Sequence, residues 1–108
     1  MIKGKTVILS VTTIAAAAIP EGRLVGFDGR PAGENGKVLG VAAFDAKAGD
    51  AITIDVVGVI DMVAATAVNP GDDLSSNADG QPVAGGTNPF GTALNAANPG
   101  GRVPVLIR

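Results

Sequence analysis

The middle of this chain is echoed at its end, and this repeat constrains the fold more than any other feature. When residues 28–56 are displaced by 51 positions without a gap, they fall on residues 79–107. An Asp-Gly dipeptide and a Pro recur at the same places, and an alternating apolar stretch closes each copy. The recurring parts are turns and strands, so they predict an internal two-fold repeat of β-structure. Most identical positions are Gly or Ala, which are frequent here, so compositional coincidence is the alternative.

Short apolar stretches are interrupted about every ten residues by Gly, Pro, Asn or Asp, which is typical of a β-sandwich or barrel. Asp28-Gly29, Asn35-Gly36 and Asp79-Gly80 are expected to form tight turns, since Gly allows the positive φ that such turns need. We therefore predict an all-β fold: a small barrel or sandwich of short antiparallel strands with an extended N-terminal segment. The predicted strands are 5–14, 22–27, 37–43, 51–57, 58–63, 72–76, 90–96 and 102–107.

The length of 108 residues fits one domain. We predict an N-terminal strand or arm over residues 1–19 and a single β domain over residues 20–108. Residues 1–19 also resemble a secretory signal peptide, because lysines precede an apolar stretch and four alanines. Ser and Thr interrupt that stretch in alternation, which favours a strand. No stretch reaches the ~18–20 apolar residues of a membrane-spanning helix, so we expect no membrane contact.

The composition argues against most chemistry. The chain has no Cys and no His, which removes disulfides, thiolate metal sites and the commonest general base. A net charge of −2 with scattered basic residues gives no footprint for nucleic acid. Asp28 and Asp79 could form a symmetric pair like the proton-sharing dyad of aspartic proteases, so a small hydrolase is a remote alternative. Each is followed directly by Gly, which favours turn residues, and we predict no enzyme activity, metal or cofactor.

The stretch 51–63 has the clearest strand alternation. Its even positions are expected to face inward, with a bend at Gly58. Asp55 is expected on the outer face, and its counterpart in the second copy is Leu106. One copy would thus face water and the other a neighbour, unless a loop of the same chain covers Leu106. The candidate interface residues, all of them apolar, are Val7, Ile8, Leu9, Val11, Ile14, Val57, Val59 and Leu106.

Six short motifs follow one another from Pro20 to Ile107. They are Gly40-Val41-Ala42, Asp45-Ala46-Lys47-Ala48-Gly49-Asp50, Gly58-Val59-Ile60, Asn69-Pro70-Gly71-Asp72, Gly91-Thr92-Ala93-Leu94-Asn95-Ala96-Ala97 and Val103-Pro104-Val105-Leu106-Ile107. Each motif alone is of low complexity, but their order and spacing resemble the capsid cement or decoration proteins of tailed bacteriophages. The resemblance covers about four-fifths of the chain.

The resemblance implies a non-enzymatic β domain that binds the outside of a phage capsid and stabilises the shell. Its implied partners are the major capsid protein and further copies of itself, as a homotrimer or, second, a dimer. The implied location is the capsid exterior of the virion, after synthesis in the bacterial host cytoplasm. Residues 1–14 depart from the family pattern and would be either an arm that adds a strand to a sheet edge or an ordinary first strand. A monomeric β-barrel that binds a ligand is the alternative function.

Overall fold

The computed structural model describes residues 5–107, and every regular element in that range is a β-strand. The eight strands are β1 (Thr6–Ile14), β2 (Leu24–Gly26), β3 (Val38–Ala42), β4 (Ala51–Val63), β5 (Asp73–Ser76), β6 (Pro82–Ala84), β7 (Gly91–Ala93) and β8 (Arg102–Ile107). The strands pair in the order β2-β3-β4-β8-β7-β5-β6, with β1 added to β4. Within residues 5–107 no helix is long and apolar enough to cross a membrane.

Backbone hydrogen bonds draw the two ends of the sheet together. Leu24 in β2 donates its N–H to the Gly80 carbonyl at 2.8 Å, and Asn35 donates to the Ser76 carbonyl in β5 at 2.9 Å. The Ser76 hydroxyl donates in turn to the Ala32 carbonyl at 3.2 Å. The antiparallel sheet is therefore curled into a nearly closed barrel, which confirms the all-β prediction.

The observed strands differ from the predicted ones at three places, the first being β7, which covers only Gly91–Ala93 of the predicted 90–96. Residues 51–57 and 58–63 form one strand, β4, which bends at Gly58 with φ of 144°. A Cβ at Gly58 would collide with the Thr6 carbonyl oxygen of β1, so only Gly permits this close approach. The strand β6 was not predicted, because it has only three residues and lies between an Asp-Gly turn and a Gly-Gly pair.

The internal repeat is visible in the backbone hydrogen bonds. Bonds that join distant residues in the first half recur between the corresponding residues of the second half. The matching pairs are Ala15–Asp50 with Ala64–Gly101, Ile19–Ala46 with Val68–Ala97, and Gly22–Ala42 with Gly71–Ala93. Because each bond is reproduced with its donor and acceptor in the same order, the repeat is a property of the fold and not only of composition.

The repeat is longer in the structure than in the sequence pattern, and strand β4 belongs to both copies. Ile14 of β1 pairs with Ala51 as Val63 of β4 pairs with Arg102. Strand β1 thus corresponds to the C-terminal half of β4, and the N-terminal half of β4 corresponds to β8. We name residues 6–56 copy 1 and residues 57–107 copy 2. The division of the chain near residue 19 stays a prediction.

Two apolar clusters form the core. The smaller one belongs to copy 1 and contains Ala15, Ile19, Val25, Ala42, Ala46, Ile52 and Ile54. The larger one contains the corresponding residues of copy 2, except that Ala97, the counterpart of Ala46, only packs against it. It adds the copy 1 residues Leu24, Ala32 and Val41, the β4 residues Ile60 and Met62, and Ile107. Neither cluster includes a residue of β1. Copy 1 therefore helps to bury copy 2, while its own first strand remains outside the core.

Candidate interface

Strand β1 has one open edge in the described part of the chain. It pairs with β4 from Thr6 opposite Val59 to Ile14 opposite Ala51, and no other described strand pairs with it. Charged residues and prolines usually prevent edge strands from pairing with other chains. The nine residues of β1 include neither. This edge is therefore available to a further strand.

The side chains of β1 are exposed on both faces of the strand. Exposed apolar surface of this extent marks an interaction site in soluble proteins more often than it occurs by chance. The exposed fractions are 37% for Val7, 75% for Ile8, 51% for Leu9, 37% for Val11 and 59% for Ile14. The five candidate interface residues of β1 thus lie together at the surface, next to the open edge.

Two exposed phenylalanines extend the apolar surface of copy 1, and the sequence reasoning missed them. Phe27 is 71% exposed in the turn after β2, and Phe44 is 45% exposed after β3. The turn that carries Phe27 lies beside the end of β1, because Ala16 donates its N–H to the Gly29 carbonyl at 2.8 Å. Each Phe directly precedes an Asp in a stretch of turn residues, and this pattern alone does not show whether the aromatic side chain is exposed.

The other three candidate residues lie deeper. Val57, Val59 and Leu106 are half-buried in the sheet. Val59 is paired on one side with Thr6 of β1 and on the other with Leu106 of β8. These residues lie on β4 and β8 and expose less of their side chains than the candidate residues of β1 do. Their role in an interface stays a prediction.

The expectation that Asp55 faces water was wrong. Asp55 is only 3% exposed, because β1 and β3 flank it on both sides through Ser10 and Val41. The Ser10 hydroxyl donates to Oδ1 of Asp55 at 3.0 Å. The Lys5 ammonium lies 3.1 Å from Oδ2, an oxygen that has no hydrogen-bonded partner among the described residues. Alternation along β4 alone could not show that two neighbouring strands enclose this carboxylate.

Asp28 and Asp79 lie in exposed turns, as their Asp-Gly dipeptides indicate. Oδ1 of Asp28 accepts a hydrogen bond from the Arg30 N–H at 3.1 Å. Asp79 donates its backbone N–H to the Asn77 side-chain oxygen at 2.9 Å. Both contacts stabilise the local turn.

A groove of about 460 Å³ runs beside the C-terminal half of β4, near the beginning of β1. Charged side chains of both signs line its walls, namely Lys5, Glu21, Arg23, Asp61 and Arg102. Arg23 uses one guanidinium nitrogen to donate to the Asp79 carbonyl at 2.8 Å. Small-molecule sites are mostly apolar with a few placed polar groups, so these mixed charges do not favour the ligand-binding alternative.

The fold agrees with the comparisons to known proteins. A model of the phage cement protein family matches residues 2–108. The chain belongs to the phage cement protein family. It is also similar in structure to the N base of the head fiber protein gp8.5 of bacteriophage phi29, with a TM-score of 0.74, 25% sequence identity and 93% of each chain covered. No curated protein matches the chain in sequence.

The family match confirms the resemblance seen in the motifs and extends it. The cement protein therefore has a structural role in a phage capsid, and the virion is its location. The motif succession began at Pro20, whereas the family match includes all of β1. Strand β1 thus belongs to the part of the chain that the family shares.

Proposed function

We propose that this cement protein binds the outer surface of a phage capsid and stabilises the shell. The observation that carries the proposal is the open, apolar edge of β1. An edge strand of this kind binds an extended segment of another chain by adding it to the sheet, with main-chain hydrogen bonds for affinity and alternate side chains for specificity. The proposed partner is the major capsid protein, and the protein has no catalytic part in the assembly.

The exposed side chains of β1 would bury apolar surface at this contact. Ile8 and Ile14, the two most exposed residues of the strand, each offer a large aliphatic side chain. Burying such a side chain contributes roughly 1.5–3 kcal/mol. Because a shell presents the same site many times, a modest affinity per site is enough for a protein that bridges neighbouring subunits.

Self-association is part of the proposal. Phe27 and Phe44 lie outside β1 and supply further exposed apolar surface in copy 1. We propose a homotrimer as the first choice and a dimer as the second, since closed cyclic symmetry is usual for soluble oligomers. Synthesis would take place in the bacterial host cytoplasm, with assembly onto the capsid exterior afterwards.

Co-sedimentation with expanded shells of the matching phage tests shell binding. We expect the wild-type protein to pellet with the shells and to raise the temperature at which they come apart. Ile8→Lys and Ile14→Lys should each weaken binding about tenfold or more, which corresponds to about 1.4 kcal/mol. Ala96→Lys, at an exposed position of copy 2, is the matched control and should bind like the wild type.

Failure of the wild-type protein to pellet with such shells would refute the proposal. If Ala96→Lys weakens shell binding as much as the β1 variants do, the contact is not specific to β1. Multi-angle light scattering tests the oligomer separately. A mass of three chains supports the trimer, whereas a monomer at micromolar concentration contradicts self-association without touching shell binding.

A further inference from the structure

Three charged or hydroxyl side chains meet in the contact between β1 and β4. Asp55 of β4 is buried, Ser10 of β1 lies directly opposite and donates to it, and the Lys5 ammonium just before β1 is its charged neighbour. Burying a carboxylate is unfavourable unless hydrogen bonds and an opposite charge compensate for the lost water. A buried carboxylate therefore needs a reason beyond filling space.

Copy 2 shows that the fold does not need these polar groups. The residues that correspond to Ser10 and Asp55 are Val59 and Leu106, and they face each other across the β4–β8 ladder. The same backbone pairing is thus built from an apolar pair in one copy and from a polar pair in the other. The difference points to a requirement that β1 has and its counterpart, the C-terminal half of β4, lacks.

That requirement is the register of β1. Both faces of the strand carry apolar side chains, and its ladder with β4 is irregular on both sides of Leu9. Strands with similar faces specify their register weakly, and a slip of one residue exchanges the two faces. The C-terminal half of β4 instead pairs with β8 without an irregularity and continues the N-terminal half of the same strand.

A slip of β1 by one residue would remove the partner of Asp55. Leu9 or Val11 would then lie opposite the carboxylate in place of Ser10, and neither side chain can donate a hydrogen bond. The buried carboxylate therefore penalises a slip of β1 by one residue in either direction. Buried polar pairs are known to select one alignment in this way in other assemblies.

We propose that the Lys5–Asp55–Ser10 cluster is a register lock that decides which side chains β1 presents at its open edge. The lock itself stands on the contacts within this chain. Its consequence for shell binding rests on the proposed function, because only a correctly aligned β1 would offer Ile8 and Ile14 to the capsid segment. Asp55 acts in this way as a positioning residue for the partner site.

The test replaces the polar pair by the pair that copy 2 uses, in the double variant Ser10→Val with Asp55→Leu. Solution NMR then reads the register from cross-strand contacts between β1 and β4. We expect one set of β1 signals with Ser10 opposite Asp55 in the wild type, and two or more sets in the folded double variant. Thr12→Val, an exposed change on the same strand, is the control and should keep one set.

Shell co-sedimentation of the same variants supplies the second measurement. If half of the double-variant molecules are misaligned, their apparent affinity should fall about twofold, in proportion to the competent fraction. A single, wild-type register in the double variant would overturn the lock. Mixed registers with unchanged binding would keep the lock and refute β1 as the shell contact. If the double variant does not fold, Ser10→Ala answers the same question, with mixed β1 signals expected and one wild-type register overturning the lock.

Discussion

The two copies use the same backbone pairing for opposite purposes. In copy 2, Met62 lies on the C-terminal half of β4 and is 1% exposed in the larger core cluster. In copy 1, the corresponding residue of β1 is Thr13, which is half-buried and belongs to neither cluster. The comparison teaches that strand pairing alone does not make a strand part of the core. The choice of side chains places the C-terminal half of β4 in the core and leaves the corresponding strand β1 at the surface.

The same contrast holds outside β1. Among the described residues, every exposed large apolar side chain except Val63 lies in copy 1. The exposed Phe27 and Phe44 correspond in copy 2 to Ala78 and Asn95. The sequence reasoning expected the reverse, with copy 1 facing water because of Asp55. Copy 1 is instead the half with the larger exposed apolar surface, and the carboxylate of Asp55 is buried.

The largest effect is expected at the joint between the copies. Gly58→Ala would place a Cβ against the Thr6 carbonyl oxygen and would force a non-glycine residue to a φ of 144°. We expect a loss of about 3 kcal/mol or more in unfolding free energy, or no folded protein. Gly49→Ala is the control, because Gly49 also has a positive φ but open space around it. It should lose only about 1 kcal/mol in a urea titration, and equal losses would show that the collision does not matter.

Exchanging core and surface residues between the copies should give the next largest effect. Met62→Thr introduces the copy 1 residue into the core and should cost about 2–4 kcal/mol, since it leaves a cavity and buries a hydroxyl. Thr13→Met makes the reverse exchange on β1 and should change stability by less than about 0.5 kcal/mol. Chemical denaturation measures both, and similar costs would contradict the division into interior and surface strands.

Moving the carboxylate from copy 1 to copy 2 should have an intermediate effect. Leu106→Asp would place a half-buried charge opposite Val59 of β4, which has no hydroxyl, and opposite Thr92 of β7, which has one. We expect about 2 kcal/mol of destabilisation, with part of it recovered when Val59→Ser is added. Thermal unfolding of the single and double variants measures the coupling, and additive losses would mean that Ser and Asp do not recognise each other in this ladder.

The smallest effect on stability is expected at Phe27. Its side chain is 71% exposed, so Phe27→Ala should change the unfolding free energy by less than about 0.5 kcal/mol. Phe90→Ala is the control, because Phe90 packs against the larger core cluster and should cost about 2 kcal/mol or more. If Phe27→Ala lowers the unfolding free energy as much as Phe90→Ala does, Phe27 stabilises the fold and is not simply an exposed side chain.

Much of this fold could be predicted from local chemistry. Turn dipeptides and alternation placed seven of the eight strands, because Gly at positive φ and alternating apolar residues act over a few positions. The repeat was found only from residue 28 onward, because residues 15–22 correspond to residues 64–71 at a displacement of 49 and not of 51. Strand β1 and the C-terminal half of β4 share a backbone role but few residue types.

The candidate interface was only partly predictable. Apolar residues on β1 were found because they alternate with hydroxyl residues in a stretch without charge. Asp55 was misplaced because its burial depends on β1 and β3, which lie far from it in the sequence. Phe27 and Phe44 were missed for a similar reason, since exposure of an aromatic side chain is decided by what packs around a turn and not by the turn itself.

The strand that both copies share also sets the order of events during synthesis. Strand β4 pairs with β1 and β8, in contacts that join Thr6 to Val59 and Gly58 to Ile107. Such long-range pairings fold slowly, in milliseconds to seconds. At about 5–20 residues per second, the ribosome needs several seconds to go from β4 to β8. During that interval the edge of β4 that will pair with β8 is unpaired in the nascent chain. Synthesis of β8 therefore completes the barrel and also ends the period in which this edge can pair with the wrong partner.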